Sequence, residues 1–514
     1  MSRRPVALAA AAACGLLLVA LPVTSNAMAQ GRGGTPTPGS PGLGDRLYPK
    51  LGNGGYDALH YDLDLRYATS KPTQSVTGTV TLSAKATQAL SSFNLDFSGK
   101  SVGGVTVDGH AATFSLKSGE LRITPAKPIA DGTKFTVQVK KFVAKPTKPA
   151  DTDASVAFFI TSEGSATAGQ PDAMHYFYPS NDHPSDKATF LFRIDVPKGE
   201  TAVANGDPTG KKSTKTRTLW TYRERQPMAT ELTQVAVGKL TVVNRAPVNG
   251  VAVRDVVPTK QLAKYKKLLA VESSHLTWME KQVGPYPFGR YGSLVVTAPD
   301  LGFALETQTL SLFDTTWFGL PKGSWSPAML HELAHQWFGD SVAPKTWSDI
   351  WLNEGHASWY EFNYAAQNGY LAEDERRWSQ PDLTGLMKQL YQVGDQTRHD
   401  DGPVALPADA DHVFADNVYE GGALVLYALR QQIGAKKFQA VERSWVTTYQ
   451  GRSASTADFI ALASKVSGQD LTTFLGDWLY GTTTPPMPGH PAWKPKPVVS
   501  SAVKTAAVPQ VPRR

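Results

Sequence analysis

The sequence predicts an α+β chain in two domains, an all-β amino-terminal half followed by a mainly helical second half. Three observations predict it. Short segments of period-two hydropathy recur between about residues 56 and 243, and the period lengthens towards that of a helix after about residue 250. In the second half His331 and His335 stand four apart, and Glu354 follows after eighteen intervening residues. At 514 residues the chain is also too long for one ordinary core.

Taken from the amino end, residues 1–29 read as an export signal. Arg3 and Arg4 give a positive start, 6–19 is an apolar run too short to span a membrane, and Ala27-Met28-Ala29 is a cleavage site. Removal near Ala29 predicts a secreted chain with no transmembrane segment in its mature form. The one cysteine, Cys14, lies inside that run, so the mature chain would have neither disulfides nor thiolate metal ligands. Residues 30–46, rich in Gly, Pro, Thr and Ser, are expected to form a flexible linker.

Residues 47–249 make up the predicted β-rich domain. In 60–67 (HYDLDLRY) the side chains of Tyr61, Leu63, Leu65 and Tyr67 fall on one face of a strand. Comparable runs at 75–87, 92–97, 112–123, 135–143, 188–196, 216–222 and 231–243 are separated by Gly, Pro, Asp and Asn, the punctuation of an all-β fold. Residues 250–487 make up the predicted helical domain. Within it 260–283, 420–433 and 457–466 have helical periodicity, and 291–298 is a short strand leading into a loop. The last segment, 488–514, is a basic Pro/Ala-rich tail expected to be disordered.

The formal charge of +7 comes from the two ends. Arg3 and Arg4 supply part of it, and Lys494, Lys496, Lys504, Arg513 and Arg514 supply the rest, so the stretch between is neutral. A neutral body has no electrostatic footprint for nucleic acid, and that partner class is not expected.

Chemistry concentrates at His331-Glu332-Leu333-Ala334-His335. Ser326-Pro327 predicts the start of a helix there and Gly339 its stop. Histidines four apart share one helix face and can offer two imidazole nitrogens to a single ion. Zinc favours nitrogen and carboxylate ligands. Residues 340–347 read as a short connection, and a second helix at about 348–367 returns beside the first with Glu354 as third ligand. Three protein ligands leave a fourth position open, as in a catalytic zinc site, with one ion per chain. Glu332, beside the first ligand, is placed to take a proton from water activated there. His356, two residues after Glu354, is turned away from that face and reads as packing. His175 and His183 lie among Asp172, Asp182, Asp186 and several prolines, and read as turn chemistry rather than a second metal site.

These motifs carry a family resemblance. HELAHQWFGD followed by Trp351-Leu352-Asn353-Glu354-Gly355 resembles the zinc site of the aminopeptidase N family of gluzincins, whose HExxH-x18-E spacing it shares. Gly302-Phe303-Ala304-Leu305-Glu306-Thr307 is similar to that family's G-x-M-E-N segment, with Leu305 and Thr307 in place of Met and Asn. Val418-Tyr419-Glu420-Gly421-Gly422 is similar to the segment of its catalytic tyrosine, and 179–190 to the part of its amino-terminal domain that abuts the active site. The likeness runs over about 47–487. It implies a saddle-like β domain followed by a thermolysin-like catalytic domain, without the large helical carboxy-terminal domain of longer members.

The resemblance also implies roles. His331, His335 and Glu354 would hold zinc, with Glu332 as general base and Tyr419 donating a hydrogen bond to the developing oxyanion. Glu306, helped by Gln170, would bind the free amino terminus of the substrate, with Gly302 and Ala304 beside the bound peptide. The expectation is a secreted, monomeric zinc aminopeptidase acting on peptides with a free amino terminus. Two alternatives are a gluzincin endopeptidase with an open groove and a secreted binding protein whose site is catalytically silent. Glu306 argues against the first, and the pairing of Glu332 with Tyr419 against the second.

Overall fold

A computed structural model describes residues 34–71, 75–144, 157–299, 301–373 and 379–499. The expected export signal, 1–29, and the end of the expected tail, 500–514, lie outside the described residues. None of the described helices is long and apolar enough to cross a membrane.

The alternation in the first half builds an eight-stranded sheet. Its strands run, edge to edge, Asp207–Ser213, Arg217–Met228, Ala188–Pro197, Tyr56–Arg66, Val76–Ala86, Lys134–Ala144, Gly104–Val107 and His110–Ala111. Tyr222, Phe192, Leu63, Val80 and Val139 stand opposite one another across five of these strands, all nearly inaccessible to solvent. Such a row is what a period of two produces once neighbours are in register. Two smaller sheets complete this half. One runs Thr37–Pro38, Leu90–Asp96, Glu120–Thr124, Thr113–Lys117, and the other Phe158–Ile160, Gly164–Thr167, Val235–Gly238, Thr201–Ala204.

Two expected strands are broken in the structure. The run 112–123 is a hairpin, because Ser118 and Gly119 take φ of 54° and 83° and turn the chain between Lys117 and Glu120. The run 231–243 opens with a 3-10 turn, Thr230–Leu232, and then supplies two strands, Val235–Gly238 and Leu240–Val248, to different sheets. The second of these pairs with Val251–Pro258, which leads on to Ser293–Val296 and Ser311–Asp314 in the sheet of the helical half. A boundary at 249/250 therefore cuts a hairpin at Asn249-Gly250, and the chain changes sheets near Lys239. Alternation alone does not reveal which sheet a strand joins.

The helices that follow are α1 (Leu262–Leu268), α2 (Glu272–Val283), α3 (Lys322–Ala334), α4 (Trp351–Gln367), α5 (Tyr370–Glu373), α6 (Leu383–Asp401), α7 (Asp416–Ile433), α8 (Ala435–Thr448), α9 (Thr456–Ser467) and α10 (Thr472–Tyr480). Helix α3 starts at Lys322 rather than at Ser326-Pro327, since the amides of Ser324 and Trp325 already bond the carbonyl of Pro321. Pro327 therefore falls in the second turn, where it has no N–H to give the Gly323 carbonyl. A 3-10 turn, Trp347–Asp349, precedes α4, and Thr346 and Asp349 cap each other there. Helix α4 packs between α3 and α7. It approaches α7 so closely that a Cβ added at Gly422 would stand 2.7 Å from the Gly355 Cα.

Both Pro-rich ends are more tightly held than their composition suggests. In the lead-in, Asp45 is 5 % exposed and accepts the Leu47, Tyr48 and Trp347 amides at 2.8, 3.2 and 2.7 Å. That last bond ties the segment to the turn before α4. At the other end His490 and Trp493 stack on Tyr427 of α7, and the Lys496 amide bonds the Gln392 carbonyl of α6 at 2.8 Å. A flexible 30–46 and a disordered tail are thus corrected for 37–46 and for 488–499. Composition records how few apolar residues a segment has, and a few well-placed anchors override it.

Candidate active site

Helices α3 and α4 face each other and bring His331, His335 and Glu354 together. The Nε2 atoms of both imidazoles lie 3.2 Å from Glu354 Oε2, and the three side chains are 1–3 % exposed. Their other ring nitrogens are already engaged. His331 Nδ1 is 3.0 Å from Glu361 Oε2 and His335 Nδ1 is 3.1 Å from the Phe338 carbonyl. Those acceptors leave the two Nε2 lone pairs turned inward, the tautomer a metal requires. A tetrahedral ion with bonds of about 2.0 Å needs neighbouring donors about 3.3 Å apart. Both the donor set and its spacing therefore fit zinc.

Sequence reasoning missed Glu361. It stands two helical turns after Glu354 on α4, so the spacing that puts Glu354 at the ion puts Glu361 behind His331. That seven-residue interval was the signal available for it.

Around these donors lies a buried group of acids. One ligand atom each of Glu306, Glu332 and His335 falls within a cluster whose members are all within 4.8 Å of one another. Burial, then the neighbouring Glu306, raises the Glu332 carboxyl well above the usual range. Glu306 is 3 % exposed and accepts a hydrogen bond from Gln170 Nε2 at 2.7 Å. Its own carbonyl accepts from Gln336 Nε2 at 2.9 Å, and Gln336 Oε1 accepts the Thr309 amide at 2.9 Å. The residue next to His335 thus fixes the loop that carries Glu306.

Tyr419 belongs to α7, inside the helix. Its ring stacks on His331 with centroids 6.0 Å apart. Burial raises its hydroxyl well above its ordinary value, and Glu354, Glu306 and Glu332 push the same way, so it stays an O–H donor at neutral pH. The fold thus converges His331, His335, Glu354, Glu332, Glu306, Gln170 and Tyr419. Gly302 and Ala304 join less directly. Gly302 takes φ of 73° on the loop before Glu306, and the Ala304 side chain packs in an apolar cluster with Phe313 and Trp325. Ala304 can therefore offer a ligand only its backbone.

Of the other histidines, His356 stacks on Phe338 at 4.4 Å and its Nδ1 is 2.8 Å from the Leu352 carbonyl, a packing role as expected. His175 Nδ1 is 2.8 Å from Asp182, and His183 bonds Ser185 within the 180–186 turn. Lys187 was not anticipated. It reaches from the β-rich half to the Asp340 and Ser341 carbonyls at 2.6 and 2.9 Å, clamping the turn that follows His335. Burial lowers its ammonium to about 8.

Comparison with known proteins agrees with this geometry. Residues 269–478 match the model of the peptidase family M1 domain, and residues 57–232 match that of the peptidase M1 N-terminal domain. Aminopeptidase M1-D of Oryza sativa subsp. japonica is 28 % identical over 313 residues, covering 59 % of this chain and 35 % of that protein. Probable aminopeptidase 2 of Sulfurisphaera tokodaii is 25 % identical over 398 residues, covering 75 % of this chain and 49 % of that protein. The chain thus spans between about a third and a half of these relatives. It spans 99 % of a solved M1 zinc metallopeptidase from Deinococcus radiodurans, at 27 % identity, TM-score 0.73 and 87 % coverage of this chain. A mutant of that enzyme solved with a Tyr-Ser-Ala substrate matches at TM-score 0.73 and 28 % identity.

Proposed function

We propose that this chain, which belongs to the M1 family of zinc metallopeptidases, is an exported aminopeptidase that removes residues one at a time from peptides with a free amino terminus. One observation carries the reading: the Glu306–Gln170 pair, at 2.7 Å, stands against the metal donors in a buried pocket. A carboxylate fixed there pairs with an α-ammonium and aligns the first peptide bond, rather than an internal one, with the reacting groups. Gln170 holds the carboxylate in one orientation. The surplus of buried acids around it also favours a cation over an acyl chain.

His331, His335 and Glu354 hold the zinc, which when bound supplies Lewis acidity towards water and the scissile carbonyl. Glu332 accepts the proton of the attacking water and passes it to the departing amine. The Tyr419 hydroxyl donates to the oxygen on which charge develops. Glu361 and the Phe338 carbonyl keep the two imidazoles in one tautomer and orientation. Gly302 and the Ala304 backbone border the bound peptide. Export rests on residues 1–29 alone, and a mature chain beginning at Gln30 is the expected product.

Matched fluorogenic amides test the reading, one set with a free α-amino group and one acetylated, with and without a zinc chelator. Chelator-sensitive hydrolysis of the free-amine set alone is expected. Equal hydrolysis of the acetylated set would remove Glu306 from the account.

A further inference from the structure

We propose that a cleft between two sheet edges is a second binding site, for a small molecule that carries one carboxylate on a flat apolar body. The cleft has a volume of about 450 Å³ and is lined by Pro208, Trp220, Tyr222, Leu240, Val242 and Arg254. Pro208 belongs to Asp207–Ser213, an edge of the eight-stranded sheet, and Leu240 and Val242 belong to Leu240–Val248, an edge of the sheet of the helical half. The volume lies in the range of small-molecule sites, of the order of 300–1,000 Å³. This inference goes beyond the peptidase reading and does not depend on it.

Arg254 carries the argument. The side chain is 1 % exposed, and its Nη2 donates to the Ala204 carbonyl at 2.8 Å. Its Nε and Nη1 are buried with no hydrogen-bond partner among the described residues. Asp207 and the buried Glu224 act on it only at a distance, and neither forms an ion pair with it, Asp207 pairing with Arg290 at 3.0 Å. Buried guanidinium groups are ordinarily paired, and buried donors are ordinarily satisfied. Burial lowers this group to about 10, so it stays charged at neutral pH. The Trp220 Nε1 is likewise buried without a partner.

The chemistry of the walls narrows the ligand. Tyr222 presents its ring to the guanidinium at 5.1 Å, and Trp220 adds a second aromatic wall. The unpartnered groups are all donors, so the ligand must bring acceptors. Arg254 is the cation lining the cleft, with the Lys211 ammonium 4.0 Å over the Trp220 ring beside it, and a carboxylate offers the planar pair of acceptors that a guanidinium fork matches. Aromatic walls favour a flat apolar body behind it.

The test titrates the zinc-loaded full chain with N-acetylphenylalanine, indole-3-acetate and the neutral N-acetylphenylalaninamide, followed by calorimetry and ligand-detected NMR. The first probe stands for a peptide carboxyl end and the second for a free aromatic acid, so the tighter of the two identifies the source. At least one acid should bind tenfold or more tightly than the amide. Val242→Trp, which fills the cleft from a half-buried strand position, should abolish that preference, and Arg254→Lys should weaken it. Val242→Trp decides the matter even if the buried Arg254 variant does not fold. Equal binding of acids and amide, or an acid preference unchanged in Val242→Trp, would overturn the proposal.

Discussion

Adding one methyl group at Gly422 should separate zinc binding from catalysis. Helices α4 and α7 cross backbone to backbone at Gly355 and Gly422. A Cβ at 422 would meet the Gly355 Cα at 2.7 Å and the Gly355 nitrogen at 3.4 Å. Comfortable carbon contacts need about 3.5–4.0 Å, so the helices must part by about 1 Å. Backbone atoms cannot turn aside, and overpacking of this kind costs about 1–3 kcal/mol. Helix α4 carries Glu354 and α7 carries Tyr419, so parting the two helices moves the hydroxyl away from the zinc donors. Misplacing a reacting group by about 1 Å costs about 100-fold in rate. Gly422→Ala should therefore keep its zinc, lose a few degrees in Tm, and lose about 100-fold in kcat/KM on a free-amine substrate. Gly476→Ala on α10 is the control, because a Cβ there would meet nothing within 4 Å. Metal content by atomic absorption, thermal unfolding and steady-state kinetics read all three quantities. A Gly422→Ala enzyme within threefold of wild type, or one whose activity falls only in step with its zinc, would refute the reasoning.

Further expectations follow from the same geometry. Tyr419→Phe removes one donor to the developing charge and should lower kcat by about 100- to 1,000-fold with KM little changed; an equal rise in KM would assign the ring to substrate binding instead. Glu361→Gln weakens the acceptor on His331 Nδ1 and should raise the zinc Kd by about 10- to 100-fold, measured against a competing chelator. His275 on α2 is fully buried beside Ser326 of α3, its ring nitrogen 3.1 Å from the Ser326 hydroxyl, and burial lowers it to about 3. The unfolded chain takes up that proton near pH 6.5 while the folded one does not, so stability present above 6.5 is lost as pH falls towards 3. At pH 5 the loss is about 2 kcal/mol. Urea unfolding at pH 7 and pH 5 should show His275→Gln spared that difference, and identical pH slopes for the two proteins would count against a neutral buried His275.

How much of this was legible in the sequence depends on how local each signal was. The zinc donors were readable because helical spacing turns a four-residue interval into a shared face, and α4 follows at once. Glu306 and Tyr419 are ordinary loop and helix residues by pattern, and only the resemblance singled them out. Lys187 acts through a contact 153 residues away in the chain, which no window detects, whereas Glu361 was within reach of the seven-residue interval from Glu354. The start of α3 was misread because Ser-Pro is a common helix opening, whereas Pro321 and Lys322 make the first turn here. Helix α6 went unmarked although Leu383, Leu386, Met387, Leu390 and Tyr391 carry the helical interval. The packed ends are the reverse case. Asp45 and Trp493 tie their segments to the body through distant groups, which composition around them does not record.

The most direct test of the central claim is a time course of products from one unmodified peptide, read by mass spectrometry beside the same peptide acetylated at its amino end. The account predicts a ladder that shortens from the amino terminus one residue at a time, no digestion of the acetylated peptide, and loss of the ladder in Glu306→Ala. Internal fragments from either peptide, or an unchanged ladder in Glu306→Ala, would contradict it.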